Sequence, residues 1–264
     1  MPLKFKDIGS GPGDLLGDDF TNKISLKVKK SAGPVAVTIE TERESGGDLK
    51  SKIGSKFDYF GMSFDKVQLK ADGGYVFETS LKPYPGVKVA FKGNKGADLC
   101  VDYAAGNLAC TSVIDVKEMS KVSASACFGL PSGMAMGGNL TYGLSGKTGV
   151  TGMNVGGSYS SGPLYASLTF SKSSQFNLGL LYKLDGGVTL ATQTSHSSSK
   201  AFDMVGVGLS AKTDFGNVKA KYDSAGVVSA CLIKEIAPKV TLTASGSLVA
   251  SDMSNFKYGL GIVM

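Results

Sequence analysis

From about residue 21 to its end the chain alternates in polarity. Ile24, Leu26 and Val28 are interleaved with Lys23, Ser25, Lys27 and Lys29, and Val35, Val37 and Ile39 with Ala36, Thr38 and Glu40. Val87, Val89 and Phe91 face away from Lys88, Ala90 and Lys92. Val122, Ala124, Ala126 and Phe128 oppose Lys121, Ser123 and Ser125. Near the C-terminus Val240, Leu242, Ala244, Gly246 and Leu248 alternate with Lys239, Thr241, Thr243, Ser245 and Ser247. A period of two means strands with one apolar and one polar face. Short turns such as Ser45-Gly46-Gly47-Asp48, Ala71-Asp72-Gly73-Gly74, Gly93-Asn94-Lys95-Gly96, Asp185-Gly186-Gly187 and Asp223-Ser224-Ala225-Gly226 separate them. Such residues supply the positive φ angles of tight hairpins. Consecutive hairpins make a meander, and so long a meander must close or leave an exposed edge.

The two faces differ in kind. The polar one is lysine, serine and threonine. The apolar one is thin, with many Ala, Gly and Val, unlike the bulky inner face of a soluble sandwich. Lipid outside and water inside satisfy both observations. Beyond the first 20 residues 244 remain. At roughly 13 residues per strand and turn this gives about nineteen strands, enough to leave an aqueous lumen. The expected organisation is residues 1–20 as an N-terminal segment and 21–264 as an all-β, closed transmembrane barrel.

Composition narrows the reading further. No stretch of roughly 18–20 apolar residues is present for a spanning helix. Met1-Pro2-Leu3-Lys4-Phe5-Lys6-Asp7 lacks the apolar centre of a secretory signal, which argues against export. The net charge is +6 and Arg43 is the only arginine. Lysine is a hydrated point charge without the planar fork that grips phosphates and stacks on bases, so a nucleic-acid partner is not expected. A diffuse field favouring small anions is. The four cysteines show no metal-ligand spacing. Cys100 shares a face with Asp98 and Asp102, whereas Cys110 falls with Leu108 and Ile114, so these two cannot be bridged across the sheet. All four are read as reduced.

Several chemical motifs dissolve on inspection. Gly206-Val207-Gly208-Leu209-Ser210-Ala211 matches a dinucleotide fingerprint, but that chemistry needs a helix N-terminus and these glycines sit in an alternating strand. Gly146-Lys147-Thr148 looks like the end of a phosphate loop, yet Thr141 stands at its first glycine and no helix follows. His196, the only histidine, reads as a solvated group at a strand end or loop. The acidic residues show no pairing for acid–base work. No catalytic residue, metal site or cofactor is expected.

The chain resembles the voltage-dependent anion channel, or mitochondrial porin, family from end to end. Phe5-Lys6-Asp7-Ile8-Gly9 is similar to the family's opening motif, and Asp14-Leu15-Leu16 to the short helix after it. Pro85-Gly86-Val87-Lys88-Val89-Ala90-Phe91 resembles the strand associated with nucleotide contact, and Pro238-Lys239-Val240-Thr241-Leu242-Thr243-Ala244-Ser245 the penultimate strand. Lys257, Gly259, Ile262 and Met264 fit the C-terminal sorting signal of mitochondrial barrels. The resemblance implies nineteen strands with a parallel closing pair, because an odd meander ends running in its starting direction. It also implies an N-terminal segment in the lumen, carrying Asp7, Gly9, Asp14 and Asp18.

Departures from the family bear on gating and selectivity rather than on pore formation. Gly11-Pro12-Gly13 is expected to hinge the segment into two short pieces. Ser10, Gly13 and Asp18 stand where the family has basic residues, and Asp19-Phe20-Thr21-Asn22 replaces a glycine-rich hinge. The family's lipid-facing glutamate is missing near Gly54.

The functional expectation is a passive pore in the mitochondrial outer membrane. Its partners are the lipid bilayer and anionic metabolites such as ATP, ADP and phosphate. Lys27, Lys29, Lys88, Lys92, Lys212, Lys219 and Lys221 are the candidates for an anion-attracting lining. Rival readings are a protein-import channel of the same membrane, a non-conducting structural barrel within a larger complex, and a soluble β-protein. Homo-oligomers and association with other membrane subunits stay open.

Overall fold

The computed structural model describes residues 2–44, 46–146, 148–172, 174–197 and 200–264, with backbone only at 200–205 and at Met253. A 3-10 turn at Phe5–Asp7 precedes helix α1 (Ser10–Gly17). The strands then follow in one run: β1 (Lys23–Ala32), β2 (Val35–Glu44), β3 (Leu49–Tyr59), β4 (Met62–Lys70), β5 (Tyr75–Tyr84), β6 (Val87–Gly93) and β7 (Ala97–Ala105). Next come β8 (Leu108–Asp115), β9 (Lys121–Gly129), β10 (Met134–Gly143), β11 (Gly149–Ser161), β12 (Leu164–Ser171) and β13 (Gln175–Lys183). The last six are β14 (Val188–Ser197), β15 (Lys200–Thr213), β16 (Gly216–Asp223), β17 (Val227–Ala237), β18 (Val240–Val249) and β19 (Asp252–Val263).

Each strand pairs antiparallel with the next, and β1 closes on β19 in parallel, from Ile24↔Leu260 to Lys27↔Val263. The result is the expected closed barrel of nineteen strands. The seam is short, and it is reinforced at each end. The Lys29 N–H donates to the Met264 carbonyl at 2.6 Å, and the Met264 N–H to the Lys27 carbonyl at 2.9 Å. At the other end the Ser245 hydroxyl donates to the Thr21 carbonyl, and the Ser247 hydroxyl to Asn22 Oδ1 at 3.2 Å.

Register settles which residues share a face. Ile24 lies level with Leu260 and Leu26 with Ile262, so the apolar set continues across the seam without a break. The N-terminal segment lies against the opposite face, which is therefore the lumen. Cys100 is on that inner face, opposite Ala90, while Cys110 is on the outer face opposite Tyr103; all four thiols are free. The outer face carries an aromatic girdle. Tyr75, Tyr142 and Tyr222 lie near one end, and Tyr59, Tyr84, Tyr103, Tyr159 and Tyr182 near the other. Rings at the two water–lipid boundaries with aliphatic residues between them are how a membrane barrel presents itself to a bilayer.

The N-terminal segment departs from expectation in one respect. It is two pieces, but the hinge is at Ile8-Gly9, where Gly9 has φ +84°, and not at Gly11-Pro12-Gly13, which lies inside α1. Pro12 falls in the first helical turn, where an amide has no partner four residues back to lose. The first such bond starts one residue later, from the Gly13 N–H to the Gly9 carbonyl at 3.4 Å.

Candidate pore lining

The inner wall is divided. From β1 to β8 it is charged, and facing strands set opposite charges level. Lys27 pairs in register with Glu40, and Glu40 with Lys52; the ammonium groups stand 3.3 and 2.9 Å from its carboxylate. Lys23 reaches Glu42 at 3.7 Å and Glu44 at 3.1 Å. Lys88 reaches Asp65 at 3.1 Å, with the Ser80 hydroxyl donating to the same oxygen at 2.6 Å; Lys56 is 3.9 Å from the other carboxylate oxygen. Lys92 lies level with Glu78 on one side and Asp98 on the other. Lys29 and Lys92 make no ion pair among the described residues.

From β10 to β14 the inner face is nearly uncharged. Ala135, Gly137, Asn139, Asn154, Gly156, Ser167, Thr169, Asn177, Gly179, Ala191 and Gln193 form most of it. The N-terminal segment rests on this wall and on the strands that flank it, β9 and β15. Phe5 and Ile8 pack over Cys127 and Ala135, and Leu15 and Leu16 over Ala191. Glycine makes the close approach possible. A Cβ at Gly208 would stand 2.7 Å from Leu16 Cδ2, one at Gly137 3.0 Å from Phe5 Cδ2, and one at Gly179 3.1 Å from Pro12 Cγ. The two glycines of the dinucleotide-like run thus lie in β15 beneath α1, a cradle for the helix. The Tyr165 hydroxyl accepts from the Gly9 N–H at 2.8 Å and fixes the hinge.

Polar contacts tie down the two ends of the segment. Lys4 pairs with Asp102 at 2.8 Å. At the far end Lys219 pairs with Asp19 at 2.6 Å, and Lys221 donates to the Leu16 carbonyl at 2.8 Å while lying 4.6 Å over the Phe20 ring. An ammonium at the last carbonyls of a helix is favourably placed against its dipole.

The seven candidate lysines therefore stand in three situations. Lys27 and Lys88 are ion-paired to the wall, and Lys219 and Lys221 are committed to the N-terminal segment. Lys29, Lys92 and Lys212 make no ion pair among the described residues; Lys212 lies in β15 level with Asn217. Of the segment's own candidates, Asp7 is half-buried, Gly9 is the hinge, and Asp14 and Asp18 are exposed. Among the C-terminal residues, Lys257 faces inward with Gly259, where the Thr21 carbonyl crosses so closely that no side chain fits. Ile262 faces outward opposite Leu242, and Met264 closes the seam.

The partners Glu40, Asp65, Asp102 and Tyr165 are not singled out by the sequence. Hairpin arithmetic finds the first of them. With Gly33-Pro34 at the turn, Ala32 faces Val35 and counting outward sets Lys27 against Glu40. Lys4–Asp102 and Tyr165–Gly9 join distant parts of the chain and leave no such local mark. His196 lies at the end of β14, as its sequence position suggests, but it is half-buried rather than solvated, with its ring 5.0 Å from that of Phe176. The phosphate-loop-like run includes Lys147, which lies outside the described residues.

A wide closed barrel, apolar outside and polar within, with a short helix held against one wall, defines a porin-type channel. The sequence matches the eukaryotic porin family over residues 1–261, and the chain belongs to that family. This is a family of channels rather than enzymes, typically of outer membranes. No curated protein sequence matches the chain at a significant level.

Proposed function

We propose that the chain is a passive diffusion pore of the mitochondrial outer membrane, like the voltage-dependent anion channels, passing ions and anionic metabolites such as ATP, ADP and phosphate. The observation that carries this reading is the divided inner wall. The N-terminal segment packs mainly on the uncharged sector and is tied at its ends to Asp102 and to Lys219 and Lys221, leaving most of the β1–β8 wall facing the lumen. Lys29, Lys92 and Lys212, without ion partners among the described residues, supply a positive field. Because most other lysines on the wall face a carboxylate, the preference for anions is modest and exit is fast. A site without tight binding suits a metabolite conduit.

The test is the reversal potential of the purified protein in a planar bilayer across a salt gradient. Lys88→Glu with Lys92→Glu shifts it toward cations at low salt, and less near 1 M, where the Debye length is about 3 Å. An unchanged potential at low salt removes these lysines from the conduction path.

A further inference from the structure

The two rims of the barrel are built from different residues. Turns joining odd strands to the following even strands make one rim; those joining even strands to odd make the other. Apart from Pro2 and Pro12, all six remaining prolines lie at the first rim: Pro34, Pro83, Pro85, Pro131, Pro163 and Pro238. Its turns also carry Phe60, Leu130, Leu184 and Phe215, against three charges, Asp185, Asp214 and Lys239. The described turns of the other rim hold no proline and no aromatic residue. They carry Asp48, Asp72, Lys95, Lys117, Glu118 and Lys172, with Val116, Met119 and Leu144 as their apolar members beside small residues.

Phe60 is the most informative residue of the first rim. It sits at φ +50° next to Gly61 at φ +73°, the two positive angles of a hairpin turn that favours Asn and Gly. For a bulky residue this conformation is unfavourable. Packing within the chain does not account for it, since Phe60 is 87% exposed and its one ring contact among the described residues is with Tyr59, edge-on at 4.5 Å. Phe215 at 74% and Tyr84 at 72% are similarly bare. Proline adds a second argument. It has no N–H, so at a turn it removes a donor that would be left unsatisfied away from bulk water.

We propose that this proline- and aromatic-tipped rim lies within the headgroup layer of the bilayer, while the opposite rim stands in water. The barrel then sits off-centre in its membrane, and only the polar rim is open to soluble partners. The lipid-facing lysines agree. Lys30, opposite Val37, and Lys234, opposite Leu242, lie on the outer face a few residues below the tips, both exposed and without an ion partner among the described residues. Their stems run along the apolar wall and bring the ammonium groups up to the level of the lipid phosphates.

Because the chain has no tryptophan, single-tryptophan variants report depth without background. Phe60→Trp and Phe215→Trp probe one rim, Ala225→Trp the other, each reconstituted in phosphatidylcholine vesicles and checked for conductance. The two rim reporters are expected to emit to the blue of Ala225→Trp. They are also expected to be quenched by lipids brominated near the headgroup and to lose most of the acrylamide quenching that Ala225→Trp shows. Conducting barrels in which either rim reporter matches Ala225→Trp in wavelength and acrylamide quenching overturn the proposal, while leaving the channel reading intact. Variants that fold but never enter vesicles contradict both, since the rim placement rests on the barrel spanning a membrane.

Discussion

The sectors β1–β8 and β10–β14 are made by the same strand geometry and do opposite things with their inner faces. In the first, charges of both signs interleave, as in Lys27, Glu40 and Lys52 or Lys88 and Asp65. In the second, glycine, alanine, serine and asparagine leave a smooth trough for a helix. The difference teaches that a lysine on the wall is not automatically a free charge in the pore. Four of the seven lysines expected to attract anions are occupied: two by wall carboxylates, two by the N-terminal segment. Selectivity is set by what remains.

Removing the occupant of the smooth sector is expected to have the largest effect. Deletion of residues 2–19 takes away Asp7, Asp14, Asp18 and Asp19 against Lys4 and Lys6, and it releases Lys219 and Lys221. Single-channel conductance and anion preference should therefore both rise, with insertion retained. If neither changes, the segment lies outside the conduction path.

Filling the trough is a gentler form of the same intervention. Gly208→Leu drives a side chain into Leu16, and overpacking of this kind typically costs about 1–3 kcal/mol. The N-terminal segment should become susceptible to protease while the barrel stays resistant. An equally protected segment would mean the glycines are not its seat.

Charge changes in the two sectors should rank next. On the charged wall Glu40→Gln leaves Lys27 and Lys52 without their shared partner and should shift the reversal potential toward anions. On the smooth wall Asn154→Lys should shift it in the same direction by less, because one charge is added on a sector that the segment partly covers. An equal or larger shift from Asn154→Lys would place the path along both walls alike.

The charged sector was far more legible in the sequence than the smooth one. Period-two alternation puts Lys27 and Glu40 on the polar face, and the Gly33-Pro34 turn fixes their register. Barrel closure and strand number follow from length and turn spacing. The trough has no local signature, because a glycine inside a strand looks the same whether it faces lipid, water or a helix. Gly206 and Gly208 even suggested, by spacing alone, a chemistry they do not perform. The hinge is hidden in the sequence for a related reason: Gly11-Pro12-Gly13 is a breaker in mid-helix but harmless in a first turn, and composition does not say where the turn begins.

The central claim is that nineteen strands enclose an open, water-filled lumen that the N-terminal segment narrows from one side only. Conductance of the purified, full-length protein in a planar bilayer tests it most directly. Large, stable, stepwise openings are expected, since a barrel of this size is too wide for side chains alone to fill. A bilayer that stays silent although insertion of the barrel has been confirmed would contradict the claim and favour a plugged, structural barrel.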